Sequence, residues 1–379
     1  MLEIQKMLRE GWTPEAIAAP LGIKVRYKDH KVLFSYDQIE SIPFKAHPIV
    51  KECRGLILYE DSWDVASHAF DRFLNYGEDG ADELPVDLKD CFVLEKLDGS
   101  MISMYWCKVN NRWSCSTRSM LDAEGPVSDL EDMTFADLFW QAMDKTNFKF
   151  LYEENKLPSS LTYVFELTSP FNRIVTKYDD IRATLLTVRS NVGGCEFSRK
   201  AVEGMASLLG CPVVKAVDAR DWQELLKMEN ADGSKKDCMF EGYVIVKEDT
   251  PSHKRNKMKN PAYVALHKVV TSMSERNLME LITAGLQDDF IVQFPEYKEK
   301  AEAMIEGIHS VVRDIRNDWD ALKHIENRKE FAQLALKTKF SHYLFALMDG
   351  RVTPEGMAEY LIAQRTDAIL EAIRKVGYK

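Results

Sequence analysis

No stretch of this 379-residue chain approaches the ~18 consecutive apolar residues that a membrane-spanning helix needs, although 45% of its residues are hydrophobic. Its opening run, MLEIQKMLREGW, has neither the charged start nor the apolar stretch of a secretion signal. The expectation is a soluble protein that stays in the cytoplasm where it is made. Cysteine is sparse: seven, an odd number without a C-x-x-C pair, which excludes a disulfide framework and fits reduced thiols. Eight scattered histidines show no zinc spacing. An excess of positive charge is missing too. Fifty Lys and Arg against sixty Asp and Glu leave a net charge of -10, which excludes a protein that coats nucleic acid indiscriminately. A local basic groove survives that argument, and the densest cationic run is HKRNKMK, His253 to Lys259. There is no internal repeat and no low-complexity tract, and the length favours two or three domains.

What is present changes texture once. Up to about Val270, short β-rich runs follow one another: KVLFSY, RGLILY, CFVLEK, SMISMYW, LTYVFELT, RATLLTVRS, EGYVIVK and AYVALHKVV. Several have no helix between them, which predicts mixed α and β with much antiparallel sheet. Helical patches interrupt the sheet around Leu130 to Met143 and Ser198 to Leu209. From Ser272 onward only Pro295 and Pro354 appear and β-branched runs vanish. Met304, Ile308, Val311, Ile315, Trp319 and Leu322 recur at steps of three and four, the stripe of an amphipathic helix. Thr353-Pro354 reads as an N-cap and first residue of a further helix. The division falls at 1–270 and 271–379, the second part all helical.

The chemistry centres on LEKLDGS, Leu94 to Ser100. Asp98-Gly99 between apolar runs is a hairpin signal, which needs no amine at Lys96. A free lysine has a pKa of about 10.4, so presenting it neutral at pH 7 costs roughly 4.6 kcal/mol, which burial or neighbouring cations can supply. The run NKMKNPAYVALHK offers such cations: in an extended segment Lys257 and Lys259 share a face and Met258 takes the other. Taken alone, a K-x-K is most often a solvated basic edge. Two acids sit within strand-like runs. Leu161, Tyr163, Phe165 and Leu167 make one apolar face, leaving Glu166 on the other. Glu241 precedes Gly242, where a backbone or ligand could approach closely. Each acid has a plain alternative as a solvent-facing position on a one-sided sheet; together they suit one ribose or base contact and one metal ligand.

The ordered set R-G at Arg54-Gly55, K-x-D-G at Lys96 to Gly99, F-E at Phe165-Glu166, E-G at Glu241-Gly242 and K-x-K at Lys257 to Lys259 resembles the covalent nucleotidyltransferases, the superfamily of ATP-dependent ligases and RNA capping enzymes. Within it the chain is most similar to the phage T4 RNA ligase 1 family, with FDRFLN before the lysine, SPFNRIV after Glu166 and YVALH after the lysine pair as supporting detail. These motifs span Tyr36 to about Lys268. The resemblance implies an α+β nucleotidyltransferase domain, with antiparallel sheets around an ATP cleft, followed by a helical domain that recognises the RNA substrate.

It further implies that Lys96 attacks the α-phosphorus of ATP and carries AMP. Tyr36, Arg54, Arg72, Glu95 and Glu166 would then bind nucleotide, with Glu166 on the ribose, while Lys257 and Lys259 grip the α-phosphate. Glu241 and Asp288, in LQDDF, would serve the metal, Mg²⁺ or alternatively Mn²⁺. Asp98, Gly99, Arg118 and Tyr263 would be further essential residues. Arg72 and Arg118 stand where the family commonly has Lys, which keeps the charge but changes donor geometry. The implied partners are ATP and single-stranded RNA with 5′-phosphate and 3′-hydroxyl ends, a cleaved tRNA among them. The enzyme would be a monomer, in the host cytoplasm if phage-encoded. A DNA ligase or capping enzyme would share the lysine but usually appends an OB-fold, whereas this chain turns helical. A non-catalytic nucleic-acid-binding protein has no need of Lys96 with both acids.

Overall fold

The computed structural model describes the chain except residues 38–39, 128–129, 220, 222–239, 262, 265–266, 268–273, 284, 286, 288–290, 292–293, 295–296 and 379. It divides into two compact units, Met1–Tyr263 and Val264–Lys379, a boundary seven residues before the expected one at 270.

The first unit holds three main sheets. Strands Ile23–Lys28, Lys31–Tyr36, Arg54–Tyr59 and Val65–Ser67 form an antiparallel meander. The helices Glu3–Arg9 and Pro14–Ala18 supply Ile4, Leu8 and Ile17 to its core. The second sheet runs Arg182–Ser190, Leu161–Thr168, Ser100–Cys107 and Arg112–Thr117, again antiparallel. Its outward face, with Ile102, Met104, Tyr163, Phe165 and Leu167, is covered by Leu138 and Phe139 of helix Phe135–Met143 and Val202 and Ala206 of helix Arg199–Leu209. That burial is what leaves Glu166 on the opposite face, since strand side chains alternate.

The third sheet carries the lysines. Its order is Ala216–Val217, Cys91–Glu95, Gly242–Lys247, Lys254–Lys259 and Leu74–Asn75, with only the last pair parallel. Val164 and Leu186 of the second sheet meet Val244 of the third around Phe70 and Phe73, so the two sheets face each other across a cleft. Asp98-Gly99 is therefore no hairpin: it carries the chain from the lysine strand of the third sheet into the second.

Several sequence expectations are corrected. Leu130–Thr134 is a strand, because a reciprocal cap between Thr134 and Asp137 starts the helix only at Phe135. Within AYVALHKVV the described residues Tyr263, Val264 and His267 are helical rather than extended, as is Pro261 before it. Pro261 cannot donate to a ladder but suits a first helical turn. Thr353 does cap a turn, its hydroxyl accepting from Gly356 N at 3.2 Å, yet the helix begins at Met357; glycine is a poor first-turn residue.

Among the described residues the second unit has helices Glu275–Thr283, Lys298–Leu322, Arg328–Ala335, Ser341–Met348, Met357–Ile362 and Thr366–Lys375. Met304, Ile308, Val311 and Ile315 are buried along the longest, and Trp319 meets the Phe331 ring edge-on at 6.1 Å. No helix among the described residues is long and apolar enough to cross a membrane.

Candidate active site

Lys96 is delivered by the end of the lysine strand. Its backbone N–H still bonds Gly242 O at 2.8 Å, one step beyond the ladder, and its Nζ lies 2.6 Å from Glu241 Oε2. Glu241 sits just before its strand rather than within it, and is 5% exposed. Its other oxygen, Oε1, lies 3.0 Å from Lys259 Nζ, so one buried carboxylate bridges two amines. Gly242 makes this possible. Its φ is 134°, and a Cβ there would come within 2.1 Å of Met258 O, so what approaches this glycine is the backbone of the basic strand.

Lys257 shares its face with Lys259, two residues apart on the strand Lys254–Lys259. Burial, helped by the positive charges of Arg54, Lys259 and Lys96, pulls its amine down to about 8. Arg54 lies over the Phe70 and Phe73 rings at 5.0 and 5.2 Å, and Lys257 Nζ is 5.8 Å from the Phe73 ring. Across the cleft, burial and the nearby Glu241 charge push Glu166 up to about 7, against the opposing Lys96 and Arg54. Glu166 Oε1 accepts from Gly99 N at 3.2 Å. Here too a glycine is required: a Cβ on Gly99 would lie 2.4 Å from Leu167 O.

Asp98 is a structural tie. Its buried carboxylate accepts from Val175 N and Thr176 N at 2.9 and 2.7 Å and from Tyr263 OH at 2.7 Å. Its backbone N–H donates to Tyr178 OH at 3.1 Å. The SPFNRIV loop, the lysine turn and the end of the first unit are thereby held together. Tyr36 lies between two guanidiniums, Arg72 at 4.1 Å and Arg118 at 5.3 Å from its ring centre. Burial alone would raise its phenol, but Arg54, Arg118 and Arg72 outweigh that and hold it below its ordinary value. Glu95, with Leu94, Leu186 and Val244, lines a cavity of about 70 Å³ between the facing sheets.

The structure thus gathers Lys96, Glu241, Lys257, Lys259, Arg54, Glu166, Asp98, Gly99 and Tyr263 about one cleft, and sets Tyr36, Arg72 and Arg118 in one stack whose charges reach Arg54. Asp288 lies outside the described residues. Sequence reasoning passed over Phe70, Phe73 and Tyr178, although all three stand in or beside the runs FDRFLN and SPFNRIV. It also passed over Arg255, whose guanidinium grips buried Glu196 at 2.9 and 2.5 Å behind the cleft.

A family model for RNA ligases of the T4 RNA ligase 1 type matches residues 52–263, the stretch that holds all of these residues but Tyr36 and Asp288. The chain belongs to that family. It is 31% identical over 323 residues to a baculovirus protein, of Autographa californica nuclear polyhedrosis virus, named as a bifunctional polynucleotide kinase/RNA ligase. That match covers 81% of this chain and 44% of the viral protein, so the chain spans less than half of that relative. An RNA ligase of Rhodothermus phage RM378 is 27% identical over 362 residues, covering 79% of this chain and 81% of its own length. Among solved structures, an archaeal ATP-dependent RNA ligase is similar with a TM-score of 0.47 and 14% identity, over 98% of this chain and 82% of that one.

Among the described residues no group of three or more His, Cys, Asp or Glu is placed to hold a metal. Glu241 nevertheless offers a buried carboxylate at the cleft, between the Lys96 and Lys259 amines. Mg²⁺ in nucleotide sites is usually held by one or two carboxylates, with phosphate oxygens and water completing the shell. The residues fit such an ion.

Proposed function

We propose that the chain is an ATP-dependent RNA ligase that works through AMP bound to Lys96. The observation that carries this reading is the Glu241 carboxylate, shared between the Lys96 and Lys259 amines at 2.6 and 3.0 Å. A lysine meant only for solvation has no use for a buried acid that a second lysine also binds. In the first step Lys96 Nζ bonds to the α-phosphorus, the bond to the β-phosphate oxygen breaks and pyrophosphate leaves. Glu241 Oε2 is placed to hold the amine proton, while Lys257 and Lys259 neutralise charge on the reacting phosphate. Glu166 takes the ribose, and the base enters between Leu186 and Val244 beside Glu95. Tyr36, Arg72 and Arg118 hold the outgoing phosphates. A divalent ion, Mg²⁺ or Mn²⁺, would be held by Glu241 together with phosphate oxygens and water, and would supply charge neutralisation at the triphosphate.

AMP then passes to an RNA 5′-phosphate, and leaves when a 3′-hydroxyl attacks that activated end. Both are in-line displacements at phosphorus, in which positioning and charge do the work. Single-stranded RNA, a cleaved tRNA included, is the assigned substrate, a monomer in the cytoplasm the assigned state, and the helical unit the assigned RNA-recognition part.

The test is incubation with α-labelled ATP, followed by 5′-phosphorylated RNA. Wild type should acquire an acid-labile, alkali-stable label and Lys96→Ala none, without loss of folding, because Glu241 keeps its Lys259 partner. Label retained by Lys96→Ala defeats the reading.

A further inference from the structure

We propose that the cavity walled by Trp106, Trp113 and Tyr152 binds an unpaired base of the RNA substrate, away from the lysine cleft. This rests on RNA being the substrate. The cavity measures about 190 Å³ and is completed by Asn155, Leu157 and Ser159. Its rings are arrayed rather than collapsed: Trp106 meets Trp113 edge-on at 5.8 Å and Tyr152 at 6.4 Å, while Tyr152 stacks on Phe148 with planes 9° apart. Trp113 and Leu157 are buried and form the floor. Tyr152 is 45% exposed and neighbouring Phe150 56%, so the aromatic surface continues outward instead of closing into the core.

The polar groups favour a nucleobase over an aliphatic ligand. Beside the two indoles the wall carries an amide and a hydroxyl, those of exposed Asn155 and Ser159. Asn155 is held at φ 51°, in the left-handed region, which closes the turn after the Tyr152 helix. Indole N–H groups only donate, and an amide both donates and accepts, a combination that meets the edge of a base whose faces lie on aromatic rings. The rim is mixed in charge: Lys108 and Arg112 are exposed in the turn between the two tryptophans, and Glu153 and Glu154 beside Tyr152.

Position gives the cavity a distinct task. Trp106 lies six residues along its strand from Ser100, beside the lysine turn, hence about 20 Å away. It is on the helix-covered face of the second sheet, whose other face carries Glu166. The strand Arg112–Thr117 is the last of that sheet, and along it Arg112, beside the cavity, is the exposed residue. The cavity therefore holds RNA remote from the reacting end, and a dinucleotide cannot span the two.

The experiment measures binding of labelled RNA to the full chain by fluorescence anisotropy, with Lys96 adenylylation followed separately. A single strand of about twenty nucleotides, longer than the roughly 4–16 a single groove covers, is compared with a dinucleotide and a duplex. Tyr152→Ala should bind the long strand about tenfold more weakly, the scale of one lost base–ring stack. Tyr152→Phe should bind as wild type, and dinucleotide binding and adenylylation should be unchanged in both variants. The proposal is overturned if Tyr152→Ala binds the long strand normally, if Tyr152→Phe loses as much as Tyr152→Ala, or if the effect is equal on duplex. Absence of label on wild-type Lys96 would instead strike the ligase reading, leaving the anisotropy comparison to stand by itself.

Discussion

The two units bury different things. Met1–Tyr263 buries Lys31, Asp98, Arg189, Glu196, Glu241 and Arg255, each in contact with an opposite charge or a hydrogen-bond donor. In Val264–Lys379 no charged side chain is buried among the described residues, and the core is aliphatic and aromatic. Desolvating a charge is costly unless it is paired, and even paired charges seldom stabilise more than a well-packed apolar core would. A unit that retains so many is organised around placing charge. The helical unit is held by its stripe alone, and its charges lie on the surface. The contrast separates a part in which a single group decides chemistry from a part in which packing decides stability.

Substitutions in each unit should therefore fail in different ways. Lys257→Ala should slow adenylylation of Lys96 by roughly 100- to 1000-fold, the scale of losing one preorganised charge at a reacting centre, with little change in melting temperature. A wild-type rate in single-turnover labelling would make the basic strand a solvated edge after all. Met304→Ala is the opposite case. Fully buried on the long helix, it should cost about 2–5 kcal/mol in denaturant unfolding of the helical unit and leave the labelling rate intact. If labelling falls in parallel, the two units are not separable in this sense.

Two glycines sharpen the comparison. Gly242→Ala forces a Cβ to within 2.1 Å of Met258 O at φ 134°, a strain of about 1–3 kcal/mol that also displaces Glu241. Stability and labelling should fall together. Gly307, in the long helix, has no positive φ, and its added Cβ would meet only the Ile373 side chain, at 3.0 Å. Helix propensity gains up to about 1 kcal/mol from alanine there, so the net change should stay within about 1 kcal/mol and labelling should not respond.

The pH profile is the mildest effect. As pH rises through about 7 Glu166 acquires its charge, and above about 8 Lys257 loses its own. The kcat/KM for adenylylation should rise and then fall across that interval. Glu166→Gln should flatten the acid limb only. Saturating ATP should move the alkaline limb upward, because bound phosphates favour the charged lysine. A profile whose acid limb survives Glu166→Gln removes that carboxylate from the titration.

How far all this was legible depended on what kind of contact each feature needed. Lys96, Glu166, Glu241 and the lysine pair stand in short runs whose order and spacing are themselves the signal, and alternation along Leu161–Thr168 placed Glu166 opposite the apolar face. The stripe from Met304 to Ile315 likewise announced its helix. The helix starts at Pro261 and Met357 and the strand at Leu130 were misread because caps and a proline, not hydrophobic period, decide where those elements begin.

The amino-acid sequence by itself determined the residue types, the face each strand presents and the division into a sheet-rich and a helical part, since period and local chemistry act over a few residues. Only the tertiary structure decided that Asp98-Gly99 crosses between sheets, that Glu241 sits between two amines 145 and 18 positions away, and that Phe70 and Phe73 lie under Arg54. It also decided that Trp106, Trp113 and Tyr152 surround one cavity. Those are juxtapositions across long loops. They exist because two twisted sheets buried their apolar faces and brought the remaining side chains within reach, which no local pattern records.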